Sequence, residues 1–201
     1  MEQPVLVSSQ ATQAPRRGAG FGLRAGAQVI DIIIQTILAV VLGLVIGIFI
    51  GIYTFATGTP TSVLTDKLQA STLITTILSL TSYAIYHAIC EGMHGATLGK
   101  LIFKIHVLNE NGSPASFGSA LIRSLALFVD GLFFGIVAVV SMRSSELQQR
   151  LGDKWAKTVV VERSTINQDQ LPSGWKFVMV FLLAIAADSI IYAFQLVLKL
   201  L

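Results

Sequence analysis

Arginine and aspartate recur at one spacing in this chain: Arg24 precedes Asp31 by seven residues, and Arg123 precedes Asp130 by seven. Leu23-Arg24 … Val29-Ile30-Asp31 is similar to Ile122-Arg123 … Phe128-Val129-Asp130, and each pair opens an apolar segment. On a helix, seven residues rise about 10.5 Å and complete almost two turns, so the two side chains share a face. They stand too far apart for an easy direct ion pair, so each needs a partner from another element. The expected cross-pairs are Asp31 with Arg123, and Arg24 with Asp130 or Asp153. His87, a water or a cation are the other partners open to Asp31. Asp188 is a further acid, midway along the last apolar run. A charged carboxylate in hydrocarbon costs roughly 2.5–3.5 kcal/mol, so these side chains should face protein or water. Two kinds of chemistry fit. One is a satisfied polar network that fixes helix register. The other is a hydrated ion or proton path, with Asp31 and Asp130 titrating or coordinating and Arg24 and Arg123 as counter-charges. His87, whose unperturbed pKa is near 6.5, suits a proton relay.

Other chemistries find little support. The single Cys90 lies in an apolar run and permits no internal disulfide. No zinc-type spacing of His and Cys is present, and His87, His94 and His106 fall in different elements, so no metal site and no cofactor are expected. No nucleophile elbow or phosphate-cradling loop is visible, and we expect no enzyme. The net charge of +3 is small and the basic residues gather between apolar runs, which excludes a nucleic-acid surface.

The positioning elements must be membrane helices. Hydrophobic residues make up 53% of the 201 and charged residues 12%, about half the share in soluble domains. After Asp31 come 34 residues, from Ile32 to Thr65, without Asp, Glu, Lys or Arg. A bilayer core takes about 20 apolar residues. Three segments meet that length: Ala27–Phe55, the stretch between Lys67 and Glu91, and Phe177–Leu198. A fourth, Phe117–Met142, either crosses or re-enters. If it crosses, Lys and Arg divide seven against seven; if it returns, they divide twelve to two, which agrees with the positive-inside rule. Gly131 and Gly135 would supply the bend. The connectors hold two expected strands, Leu101–Val107 and Thr158–Val161, which can pair only if both connectors share a side. Gly43, Gly47 and Gly51 form one face of the first span, for packing on the second span or for homodimerisation.

With Gly20-Phe21-Gly22-Leu23-Arg24 … Ile30-Asp31, Gly95-Ala96-Thr97-Leu98-Gly99-Lys100, Ile105-His106-Val107 … Asn111-Gly112 … Ser116, Arg123 and Gln149-Arg150-Leu151-Gly152-Asp153-Lys154 … Thr158-Val159-Val160-Val161, the chain resembles the RDD family of bacterial membrane proteins. The family is named for one arginine and two aspartates. The resemblance covers about Gly20 to Glu162 and makes Arg24 the arginine, Asp31 the first aspartate and Asp153 the second, with Asp130 as another claimant. Gly99, Lys100, Arg150 and Thr158 belong to the same motifs. The Arg150 … Asp153-Lys154 … Lys157 cluster would dock on Arg24, hold anionic lipid headgroups or stay solvated. The resemblance implies transport, with sodium/proton exchange linked to some members.

The expected fold is thus an all-α integral membrane protein of three to four transmembrane or re-entrant helices with a short cytoplasmic two-stranded β-ribbon. A disordered cytoplasmic tail (1–19) would precede the membrane domain (20–163). A linker (164–175) and an added C-terminal transmembrane helix (176–201) would follow. The expected place is the bacterial plasma membrane, multi-pass, with the N-terminus cytoplasmic. The expected function is ion- or proton-coupled transport of a small solute or monovalent cation, by a homo-oligomer paired through the first helix. The alternative is a non-transporting interaction protein that binds lipids or a partner complex.

Overall fold

A computed structural model describes residues 18–58, 72–130, 135–167 and 171–200. Helix α1, Phe21–Thr57, carries the longest charge-free run. At 1.5 Å per residue its 37 residues extend about 55 Å, beyond the roughly 30 Å of a bilayer core. It stops at Gly58, whose φ of 67° is a left-handed cap that suits glycine. Helix α2, Thr72–His94, follows, and then a short helix α3, Leu98–Ile102. Strand β1 is Ile105–Asn109 and strand β2 is Thr158–Glu162. Between them lie α4, Phe117–Asp130, α5, Ile136–Arg143, and α6, Leu151–Trp155. Helix α7, Gly174–Leu200, ends the chain.

Two of these helices, Phe21–Thr57 and the Gly174–Gln195 part of α7, are long and apolar enough to cross a membrane by length and composition. Beyond Asp31, large apolar side chains of α1 such as Val40, Leu44, Ile48 and Phe49 are exposed, as a lipid-facing surface requires. Helix α2 is the centre of the bundle, with α4 along one side and α7 along another. Tyr86, Ile89 and Cys90 of α2 meet Val180 and Ala184 of α7 in one buried cluster.

The two strands pair antiparallel, with Val107 opposite Val160. One face of the ribbon packs on Ala19, Ala27 and Leu23, and the other on Ile166, Leu147 and Leu171. Because the strands pair, the segment between them begins and ends at the same ribbon. That segment is not one straight helix: α4 ends at Asp130 and α5 starts after Gly135, which has φ 83°. Gly131, the other expected hinge, lies outside the described residues, as do Lys67 and residues 1–17.

Four expectations need correction. Leu101 and Ile102 are helical rather than extended, because Thr97 caps the start of α3 through its hydroxyl. Gly18 and Ala19 are not loose tail; the Ala19 N–H donates to the Val160 carbonyl at 2.7 Å and the side chain is buried. The linker contributes Ile166 to the core. Among the described residues nothing packs on Gly43, Gly47 and Gly51, since a methyl group added to any of them meets no atom within 4 Å.

Candidate functional site

The first turns of α1 place Arg24 and Asp31 under the ribbon, and both are buried. The Arg24 guanidinium donates from Nε to the Ala19 carbonyl at 3.0 Å, from Nη2 to the Val160 carbonyl at 3.4 Å and from Nη1 to Asp153. Asp153 stands on α6, where its carboxylate also accepts the Arg150 backbone N–H at 3.0 Å. Its second oxygen is held by Arg123 of α4. Arg123 donates onward to Glu91 of α2 at 2.9 Å and to the Thr158 hydroxyl of β2 at 2.9 Å. Glu91 takes Lys100 of α3 as its second cation. The row Arg24–Asp153–Arg123–Glu91–Lys100 thus alternates in sign and ties together α1, α6, α4, α2 and α3.

Opposite charges at hydrogen-bond distance are what make such a buried row tolerable, because each ion loses its water and must regain it from a partner. Burial pushes the Asp153 carboxyl up, but Arg123 and then Arg24 overcome that and hold it at about 2, below its usual 3.8. Burial draws the Lys100 ammonium below its usual value, with Glu91 opposing. Burial and then Arg24 also draw Arg150 below the usual guanidinium range. The same side chains enclose a cavity of about 20 Å³, lined by Arg24, Glu91, Lys100, Arg123, Arg150 and Asp153 among others. That is room for about one water.

Asp31 belongs to a different environment. Its carboxylate accepts the Thr97 hydroxyl at 2.6 Å, the Gly99 N–H at 2.8 Å and the Tyr86 hydroxyl at 3.2 Å. All three donors are neutral, and the expected pair with Arg123 does not form, because Arg123 is taken by Glu91 and Asp153. Gly99 is required here: a Cβ would lie 2.1 Å from the Ala27 carbonyl oxygen and 2.9 Å from the Asp31 carboxylate. Asp188 of α7 is held by a neutral donor too, the Ser82 hydroxyl at 2.7 Å. Asp130 accepts the Leu151 N–H at 3.2 Å at the start of α6 and makes no ion pair with Arg24, whose carboxylate is Asp153.

His87 is fully buried, its Nδ1 3.4 Å from Glu91. Its ring lies 4.6 Å from Tyr83 and 5.3 Å from Tyr86, centroid to centroid. His94 and His106 approach each other, rings 6.0 Å apart. Burial and then His94 hold His106 at about 4, below the usual 6.5. Among the described residues no group of three or more His, Cys, Asp or Glu could hold a metal ion. Lys154 of the basic cluster turns back to the Ser141 carbonyl and the Ser144 hydroxyl, each at 3.2 Å.

Glu91 is the residue that sequence reasoning missed. In the sequence it reads as the end of an apolar run, yet among the described residues it is the side chain that pairs with both Lys100 and Arg123. Its position four residues after His87, on the same helical face, was the available signal.

A family model described as RDD family matches residues 18–157. The chain is also similar to a proline-rich antigen of Mycobacterium leprae (strain TN), 33% identical over 84 residues, which are 41% of this chain and 33% of that protein. The chain thus spans about a third of the length of the curated relative it matches. No solved structure matches it.

Proposed function

The chain belongs to the RDD family, and from that premise we propose that it moves protons, in exchange for a monovalent cation or with a small solute. One contrast carries the reading. Asp153 and Glu91 are each locked by two cations, whereas among the described residues Asp31 and Asp188 are held only by hydroxyls and a backbone N–H. A carboxylate between two cations stays ionised, but one among neutral donors can gain and lose a proton or a cation without breaking an ion pair. Asp31 and Asp188 also stand on the two helices long and apolar enough to cross a membrane.

In this reading the protein is multi-pass in the bacterial plasma membrane and performs no enzymatic step. The N-terminus and ribbon are cytoplasmic, and α4 with α5 re-enters rather than crosses, in keeping with the paired strands. So few helices enclose little space, so the working unit is a homo-oligomer, paired through the open glycine face of α1. The alternative, a non-transporting scaffold for lipids or a partner complex, is favoured by one observation. The cation-locked network closes around a cavity with room for about one water.

The test is reconstitution in liposomes with a pH-sensitive dye inside, under sodium, lithium or potassium gradients, beside Asp31→Asn and Asp188→Asn. Proton movement driven by a cation gradient and lost in both folded variants is the expected result. Equal rates in wild type and variants would sink the roles assigned to Asp31 and Asp188. No movement under any gradient would favour the scaffold.

A further inference from the structure

We infer that the cavity inside the charge row is a binding site for a small monatomic anion of the chloride kind, held by Arg150; this stands on the cavity and not on the transport reading. Charge sets the sign of the ligand. Four cations, Arg24, Lys100, Arg123 and Arg150, line the cavity against three carboxylates, Glu91, Asp130 and Asp153, which leaves one positive charge over. The surplus falls on Arg150. Arg24 and Arg123 share Asp153, and Arg123 and Lys100 share Glu91. Among the described residues the Arg150 guanidinium makes no ion pair, and its buried Nε has no hydrogen-bond partner. A guanidinium does not give up its proton in a protein, so its burial must be answered by an acceptor. A water would accept from Nε yet leave the surplus charge in place, whereas an anion answers both.

The carboxylates in the lining do not close the cavity to an anion, because each has donors of its own. Asp153 accepts from Arg24, Arg123 and the Arg150 backbone N–H, Glu91 from Lys100 and Arg123, and Asp130 from the Leu151 N–H. Gln28 of α1 adds a neutral amide to the wall. Size sets the class of ligand. About 20 Å³ admits one body of the size of a water. Chloride is only slightly larger than water, whereas sulfate, phosphate or a lipid headgroup carries a shell of oxygens and does not fit. Arg150 is buried at Nε but partly exposed as a whole, so it connects the cavity with the surface.

The test is thermal unfolding of the full-length protein in detergent, with chloride exchanged for gluconate at constant ionic strength. About 100 mM chloride should raise the midpoint by roughly 3 °C or more, and the rise should saturate. Arg150→Gln should lose this response. Arg143→Gln, at the exposed end of α5 and outside the cavity, should keep it. Sulfate, too large to enter, should act on wild type and Arg150→Gln alike. No response to chloride, or an equal one in Arg150→Gln, overturns the inference and leaves the cavity to water. Should Arg150→Gln fail to fold, chlorine NMR of the wild type decides. The chloride line should broaden on adding protein and narrow again with bromide but not with sulfate. A line that stays sharp, or one that sulfate restores, overturns the site.

Discussion

Replacing Asp153 with asparagine tests the charge row at its best-defined point. The side chain is buried and bridges Arg24 and Arg123. Asparagine keeps the shape but offers one oxygen in place of two and no charge, so buried Arg24 would lose its carboxylate and Arg123 would keep only Glu91. Removing one partner of a buried pair costs about 3–5 kcal/mol. The proton linkage gives a second, independent figure. A folded value of about 2 against 3.8 corresponds to roughly 2 kcal/mol at neutral pH. The sign follows from a depressed acid: this contribution is complete above about pH 4 and is lost as pH falls through 2. Asp153→Asn should therefore lose about 2–5 kcal/mol at pH 7, measured by chemical unfolding in detergent micelles followed by circular dichroism. The variant should also show a flatter stability curve than wild type between pH 4 and 2. Adding Arg123→Met should recover part of the loss, because one stranded cation goes with it. A loss below about 1 kcal/mol, or a pH curve parallel to wild type, would refute the shared-carboxylate assignment.

Other substitutions separate the tight contacts from the open ones. Gly99→Ala places a methyl group against the Ala27 carbonyl and the Asp31 carboxylate, and should destabilise by about 2–4 kcal/mol in the same unfolding assay. Gly43→Ala meets no neighbour and should leave the monomer as stable or gain up to about 1 kcal/mol of helix propensity; a drop in cross-linked dimer without loss of stability would assign that face to pairing. His106, held at about 4 against a usual 6.5, binds its proton more readily when unfolded, so stability should fall by roughly 3 kcal/mol as pH drops from 6.5 to 4. His106→Leu should remove that share of the fall and leave the share due to His94, which burial also holds at about 4, read as the unfolding midpoint against pH.

The types and spacing of the buried charges were legible in the sequence because charge is rare in this chain and therefore conspicuous. Their partners were not, because pairing across elements depends on which helices the ribbon brings together. The pairing of β1 with β2 carries α6 back to α1, so Arg24 meets Asp153 across 129 positions. Glu91 escaped for a related reason: at the end of α2 it reads as a boundary marker until α3 folds Lys100 back upon it. Glu91 and Asp153 hold Arg123, and the Gly99 N–H at the start of α3, with the Thr97 and Tyr86 hydroxyls, are the partners of Asp31 instead. Asp153 and Asp31 are therefore chemically unlike: one is fixed between guanidiniums, the other rests among neutral donors. Neutralising Asp153 would take the carboxylate from a buried arginine, whereas neutralising Asp31 would break hydrogen bonds to neutral donors and leave the charge row intact.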